Sequence, residues 1–214
     1  MICVAISEPS LDKILVLLRN VEMAEIRLDM MDLSDKEIEI VSSQPVHLIA
    51  TCRLGKFNDR ERKKKLIKAI ESGAAFVDIE IETSDDFKNE IKKVAKAHQC
   101  KIIISFHDFD KTPSDEDLNK IVEDCFAAGA DIAKIACKAN TEEDAERILS
   151  LYVKYKNLVA LGMGEKGMNT RIASLLLGAP FSFASIGAGK ETAPGQIELE
   201  EMKKILDKLQ YKKS

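Results

Sequence analysis

The 214 residues are 45% hydrophobic and 32% charged, enough apolar material for one substantial core. A formal net charge of -4, with acids and bases interspersed, speaks against nucleic acid as the main partner, because that would favour a basic stripe. The five cysteines lack metal-like spacing and mostly sit among apolar residues, so buried free thiols in a reducing, cytoplasmic compartment are expected.

The opening run Met1-Ile2-Cys3-Val4-Ala5-Ile6 is too short, and lacks the basic flank, for a secretory signal; no stretch reaches membrane-spanning length. From there, runs rich in β-branched residues alternate with charged segments of helical period. Strands are predicted at Ile2–Ser7, Ala24–Asp29, Val46–Cys52, Phe76–Ile81, Lys101–His107, Asp131–Ala136, Leu158–Gly162 and Phe181–Ile186. The intervening helices are Ser10–Val21, Ser34–Ser42, Asp59–Ser72, Ser84–His98, Ser114–Ala128, Thr141–Lys156, Met168–Leu177 and Gln196–Leu209. Ser84, Ser114 and Thr141 are suited to capping helix starts, while Gly73, Gly129 and Gly178 are suited to stopping helices. Proline is scarce and no low-complexity linker divides the chain, so one domain over residues 1–214 is expected.

Eight strand–helix units predict an α/β fold, a single (β/α)8 TIM barrel, over an open doubly wound sheet. The first strand feeds Ser7-Glu8-Pro9-Ser10, which is no dinucleotide fingerprint. A barrel places its chemistry at the carboxyl ends of the strands. Glu25, Arg27 and Asp29 alternate with Ile26 and Leu28; Asp78 and Glu80 alternate with Val77, Ile79 and Ile81. Helices cover the outside of a barrel, so these charges and Arg53 must point inward and need partners there. A purely structural ion-pair network is the competing account, strongest for Asp29 and Asp78.

Lys134 stands mid-strand in Ile132-Ala133-Lys134-Ile135-Ala136. Desolvation and nearby cations such as Arg27 and Arg53 would favour its neutral amine, a nucleophile that forms an imine with a carbonyl. Pairing to an inward Asp or Glu is the other reading. His107 ends the preceding strand beside it and suits proton transfer, although a lone histidine is often structural. His47 and His98 lack comparable settings, and three scattered histidines do not make a metal site. Glycine-rich segments follow the last two strands, Gly162–Gly167 and Gly187–Gln196. They suit a phosphate cradle, a lid hinge or a plain connection.

Taken in order, Glu25-Ile26-Arg27-Leu28-Asp29, Thr51-Cys52-Arg53, Phe106-His107-Asp108-Phe109, Ala130–Ala136, Arg171 and Ala193-Pro194-Gly195-Gln196 resemble type I 3-dehydroquinate dehydratase over nearly the whole chain. The resemblance implies dehydration of 3-dehydroquinate to 3-dehydroshikimate, in the shikimate pathway of aromatic amino acid biosynthesis. Lys134 would form the imine, and His107 would remove a proton and later protonate the departing hydroxyl. Arg171 would hold the substrate carboxylate. Glu25, Arg27, Arg53 and Gln196 would bind ring hydroxyls or order the pocket, and Thr192 would stand where the family often has serine. The resemblance also implies a homodimer, with no metal and no diffusible cofactor.

One departure is visible. Some members carry a glutamate after the strand-three arginine that orients the histidine, whereas here Arg53 leads into Leu54-Gly55-Lys56-Phe57-Asn58-Asp59. Asp59 or Glu80 are the candidates to replace it. Two other functions compete: an imine-forming aldolase acting through Lys134 on a phosphorylated sugar, and a catalytically dead barrel serving as a scaffold.

Overall fold

The structure is a computed structural model that describes residues 1–187 and 189–209. Its first half runs β1 (Ile2–Ile6), α1 (Leu11–Leu18), β2 (Met23–Arg27), α2 (Asp35–Ser42), β3 (His47–Thr51), α3 (Asp59–Glu71), β4 (Phe76–Glu80) and α4 (Asp85–Ala97). The second half runs β5 (Lys101–Asp108), α5 (Asp115–Ala127), β6 (Ile132–Lys138), α6 (Glu142–Lys154), β7 (Leu158–Met163), α7 (Thr170–Leu176), β8 (Ser182–Ser185), β9 (Ile197–Glu198) and α8 (Leu199–Lys208).

All strand pairs are parallel, and the order β7-β6-β5-β4-β3-β2-β1-β8-β9 follows the chain around a ring. Among the described residues no ladder joins β7 to β8. Both strands nonetheless contribute to one interior. One interior cluster takes a residue from each of the strands β1 to β8, including Cys3, Ile103, Val159 and Phe183. Alternate residues, such as Val4, Ile26, Val77, Ile104 and Ile135, point outward into a second cluster beneath the helices. Each strand therefore has two buried faces, as a (β/α)8 barrel requires, and each fully buried aliphatic side chain contributes about 1.5–3 kcal/mol. The predicted barrel is the observed fold.

The helix ends follow the expected chemistry. Ser84 and Ser114 accept hydrogen bonds from the backbone N–H groups of Phe87 and Asp117, and Thr141 forms a capping box with Asp144. Ser34 with Glu37 and Asn58 with Glu61 form two more boxes. Gly73, Gly129 and Gly178 each have positive φ where a helix stops. All five cysteines are free and buried.

The largest departure lies at the C-terminal end. The predicted helix from Gln196 starts only at Leu199, because Ile197 and Glu198 pair with Ala184 and Ser185 as a ninth strand. Helix α7 likewise starts at Thr170 rather than Met168. There the Thr170 hydroxyl accepts from Gly162 N–H at 2.8 Å and donates to the Gly167 carbonyl, holding the preceding segment in a tight turn. Strand β2 ends at Arg27 instead of Asp29: the Leu28 N–H still donates to the Thr51 carbonyl at 2.8 Å, but the Met30 N–H turns back to the Arg27 carbonyl at 3.0 Å.

Candidate active site

The alternation of β2, β3, β4, β5 and β6 sends one charged row into the barrel mouth. There a cavity of about 410 Å³ is lined by Glu25, Arg27, Arg53, His107, Lys134, Arg171, Thr192 and Gln196, the residues to which the resemblance gives a catalytic or binding role. Asp29 and Glu80 share its wall, while Asp78 lies beneath, with no exposed side-chain area.

At the floor, Lys134 Nζ donates to Asp78 Oδ2 at 2.8 Å and to Glu25 Oε1 at 3.5 Å. It also lies 4.2 Å from the centre of the Phe183 ring. The sequence suggested guanidinium neighbours that would strip the proton from Lys134; its immediate partners are instead two carboxylates. Glu25 is held in turn by the Thr51 hydroxyl at 2.8 Å. Asp78 accepts from Ser105 Oγ at 2.6 Å and from Arg53 Nη2 at 2.9 Å. Burial alone would favour protonated Asp78, but Arg53 and Lys134 outweigh it and hold its pKa far below the usual carboxylate range. The same exchange holds Arg53 above its ordinary value: burial opposes its charge, and Asp78 and Glu80 outweigh that burial.

His107 sits one step up the wall. Ser105 is paired with Lys134 across β5 and β6, and His107 is two residues further along the same face. Its ring stacks on Phe109 with centroids 6.2 Å apart. Arg53 Nη2 lies 3.4 Å from Nε2. A guanidinium only donates, so Nε2 is the acceptor and the neutral ring carries its proton on Nδ1. Burial, then the charges of Arg53 and Lys134, push the His107 pKa well below its ordinary value, with Asp78 acting in the opposite sense. The ring is thus neutral, with Nε2 unprotonated. Neither Asp59 nor Glu80 hydrogen-bonds to it; both carboxylates are bound to Arg62.

Asp29 takes a bidentate grip on Arg27, at 3.0 Å to Nε and 2.6 Å to Nη2. Across the mouth the two glycine-rich segments dock on each other. Gly164 N–H donates to the Pro194 carbonyl at 3.2 Å, and a Cβ on Gly195 (φ +74) would meet the Gly164 oxygen at 2.4 Å. With the amides of Gly162 and Gly164 engaged inside the protein, these two do not offer a phosphate cradle. Ala188 of the Gly187–Gln196 segment lies outside the described residues. Thr192 and Gln196 clasp each other reciprocally, at 2.8 Å through the Thr192 N–H and 3.1 Å through its hydroxyl.

Arg171, only 2% exposed, donates to the carbonyls of Gly195 at 2.8 Å and Pro194 at 3.2 Å. Among the described residues it forms no ion pair with a carboxylate, and burial alone lowers its pKa to about 10. A buried cation with only neutral acceptors is a site for an anion.

Sequence reasoning gave no role to Thr51, Ser105 or Phe183. The first two share the inward face of Arg53 and His107, so alternation would have found them. Phe183 carries no signal, because an interior aromatic reads the same whether or not a lysine lies over it.

The family model described as type I 3-dehydroquinase matches residues 2–213. The chain is 39% identical over 222 residues to the 3-dehydroquinate dehydratase of Methanocaldococcus jannaschii, covering 96% of this chain and 97% of that one. A second relative, the 3-dehydroquinate dehydratase of Methanosarcina acetivorans, is 32% identical over 209 residues, with 89% and 86% covered. Among solved structures, the 3-dehydroquinate dehydratase from Aquifex aeolicus superposes with a TM-score of 0.84 at 27% identity, covering 99% of this chain and all (100%) of that one. A barrel of known architecture, a cavity holding the expected residues and relatives matched along nearly their full length converge on one conclusion: this chain belongs to the type I 3-dehydroquinase family.

Proposed function

We propose that this protein dehydrates 3-dehydroquinate to 3-dehydroshikimate through an imine on Lys134. The observation that carries the reading is the buried guanidinium of Arg171, bound to two backbone carbonyls and to no carboxylate among the described residues, in the same cavity as the Lys134 amine. A substrate with one ketone and one carboxylate suits that pair.

In this mechanism the carboxylate binds Arg171, and the Lys134 amine attacks the ring ketone after passing its proton to a neighbouring carboxylate or to water. Loss of water from the carbinolamine gives an iminium, which draws electrons from the adjacent C–H bond. His107 Nε2 takes that proton; its 3.4 Å contact with Arg53 is long and easily displaced. The electron pair then expels the β-hydroxyl, which leaves as water with the proton from His107. Hydrolysis of the conjugated iminium frees the product and restores the amine. Arg27, held by Asp29, together with Glu25, Arg53, Thr192 and Gln196, orients the ring hydroxyls. The iminium itself supplies the electron sink, so the scheme calls for neither metal nor diffusible cofactor. Residues 1–214 would act as one catalytic unit and pair as a homodimer in the cytoplasm.

The test is an ultraviolet assay for the conjugated enone formed from 3-dehydroquinate, with borohydride added during turnover. The expected results are enone growth and a reduced adduct on Lys134. Absorbance that stays flat, with no adduct, would overturn the reading.

A further inference from the structure

Arg62 belongs to α3, outside the cavity, in the run Asp59-Arg60-Glu61-Arg62-Lys63-Lys64-Lys65, where it reads as one more solvated basic residue. It is only 2% exposed. Its Nε donates to the Cys52 carbonyl at 2.9 Å, its Nη1 to Asp59 at 2.8 Å and its Nη2 to Glu80 Oε2 at 2.7 Å. The guanidinium also sits 5.2 Å from the centre of the Phe87 ring. Two of these partners control Arg53. Cys52 is the residue before it in the chain, so Arg62 pins the backbone from which Arg53 departs. Glu80 faces Arg53 Nη1 at 3.7 Å. Arg53 in turn reaches Ser105 at 2.8 Å, Asp78 at 2.9 Å and His107 Nε2 at 3.4 Å.

We infer that Arg62 is a positioning residue for His107: by clamping Glu80 and the Cys52 carbonyl it fixes Arg53 against the ring, the task for which the segment after Arg53 supplies no glutamate. The inference deepens the proposed dehydration and rests on it. A planar fork with three separately aimed N–H groups suits three acceptors in fixed directions, which an ammonium on a flexible stem does not match. Asp59 and Glu80 therefore act on His107 indirectly, through Arg62 and Arg53.

The charges around the ring fix the sign of the effect. From β2 come Glu25 and Arg27; from the end of β3, Arg53; from β4, Asp78 and Glu80; from β6, Lys134. Glu82, Asp29 and Arg171 complete the charged lining of the cavity. Without Arg62, Glu80 is free to draw Arg53 off Nε2 or to approach the ring itself. Both movements favour protonated His107, so the acid limb of kcat/KM moves to higher pH.

The experiment compares wild type, Arg62→Met and Arg62→Lys, using 3-dehydroquinate turnover across pH, borohydride trapping and thermal melting. In Arg62→Met, kcat at pH 7 is expected to fall by about 10²-fold, as for a catalytic group displaced by about 1 Å. The acid limb rises by on the order of one pH unit, a tenfold change in proton affinity, while the Lys134 adduct still forms. Arg62→Lys, expected to fold even if Arg62→Met does not, should show a smaller rise of the same sign. Val122→Ala, a core truncation on α5, controls for stability: it lowers the Tm and leaves the limb in place. Wild type that turns over and traps substrate, beside a folded Arg62 variant whose limb has not moved, overturns the inference. Wild type that does neither overturns the proposed function as well, so the two failures are told apart in the unmutated protein.

Discussion

Lys134 and Asp78 meet at 2.8 Å across a strand they do not share: β5 runs between β6 and β4, and its Ser105 binds the other oxygen of Asp78 at 2.6 Å. Both charges are almost wholly withdrawn from water, with side chains 6% and 0% exposed. Such a pair persists only because the remaining valences of Asp78 are also met, by Arg53 and by Ser105. The pairing reading of Lys134 is the one the geometry shows; in the proposed mechanism the same carboxylates would hold the amine in place until its proton leaves.

Replacing Lys134 with alanine is expected to abolish both turnover and trapping. Loss of the covalent step lowers kcat on the order of 10⁶-fold, the scale of removing an enzyme nucleophile. The fold persists, since Asp78 keeps Arg53 and Ser105. Enone absorbance and the intact mass after borohydride check both points; normal turnover in this variant removes the imine from the mechanism.

His107→Ala is expected to separate the two halves of the reaction. Turnover falls by ~10²–10⁴-fold with loss of the general acid–base, yet the substrate adduct on Lys134 is still trapped. An undiminished rate would take His107 out of the proton transfers.

The depressed pKa of His107 makes a stability prediction whose sign can be worked out. In the unfolded chain the ring takes a proton near its ordinary pKa of about 6.5; in the fold it resists until much lower pH. The unfolded state then binds the extra proton, so stability is full above about pH 6.5 and declines as pH falls toward the folded pKa, by at most about 1.4 kcal/mol per pH unit. Asp78 adds a second decline of the same kind only below about pH 3.9. Urea unfolding from pH 7 to pH 4.5 should show a shallower slope in His107→Gln than in wild type. Parallel slopes would show that the ring is not held neutral.

Arg171→Lys keeps the positive charge and gives up the fork. KM for 3-dehydroquinate is expected to rise by about 10²-fold, with a smaller change in kcat, because a charge-assisted hydrogen bond contributes roughly 1.5–3 kcal/mol. Steady-state kinetics would show it; an unchanged KM would place the carboxylate elsewhere.

Gly195→Ala tests the docking of the final segment. The added Cβ would collide with the Gly164 oxygen at 2.4 Å, and φ +74 adds strain of about 1–2 kcal/mol for a residue with a Cβ. The segment then cannot seat on Arg171 and Gly164. The expected result is a fall in kcat/KM with little change in Tm, since the barrel core is untouched. Kinetics and a thermal melt together decide it.

Much of this was written in the sequence because a parallel barrel makes alternation unambiguous. Strands with two buried faces have no solvent side on which to put Glu25, Arg27, Asp78, Glu80 or Lys134, so a charge at an alternate position has to face the centre. Caps such as Ser84, Ser114 and Thr141 were legible for a similar reason: they act within three residues. What alternation does not carry is which inward charge meets which. Whether Lys134 faces guanidinium or carboxylate depends on barrel tilt and on the strand between, and only the folded ring brings Asp78 beneath it. The short strand Ile197–Glu198 was hidden because two residues are too few for alternation to show; only its pairing with Ala184 and Ser185 reveals it. Arg62 was hidden most completely. In a helix of alternating acids and bases, nothing local distinguishes the one guanidinium that turns inward; its role arises from three acceptors that tertiary packing alone assembles.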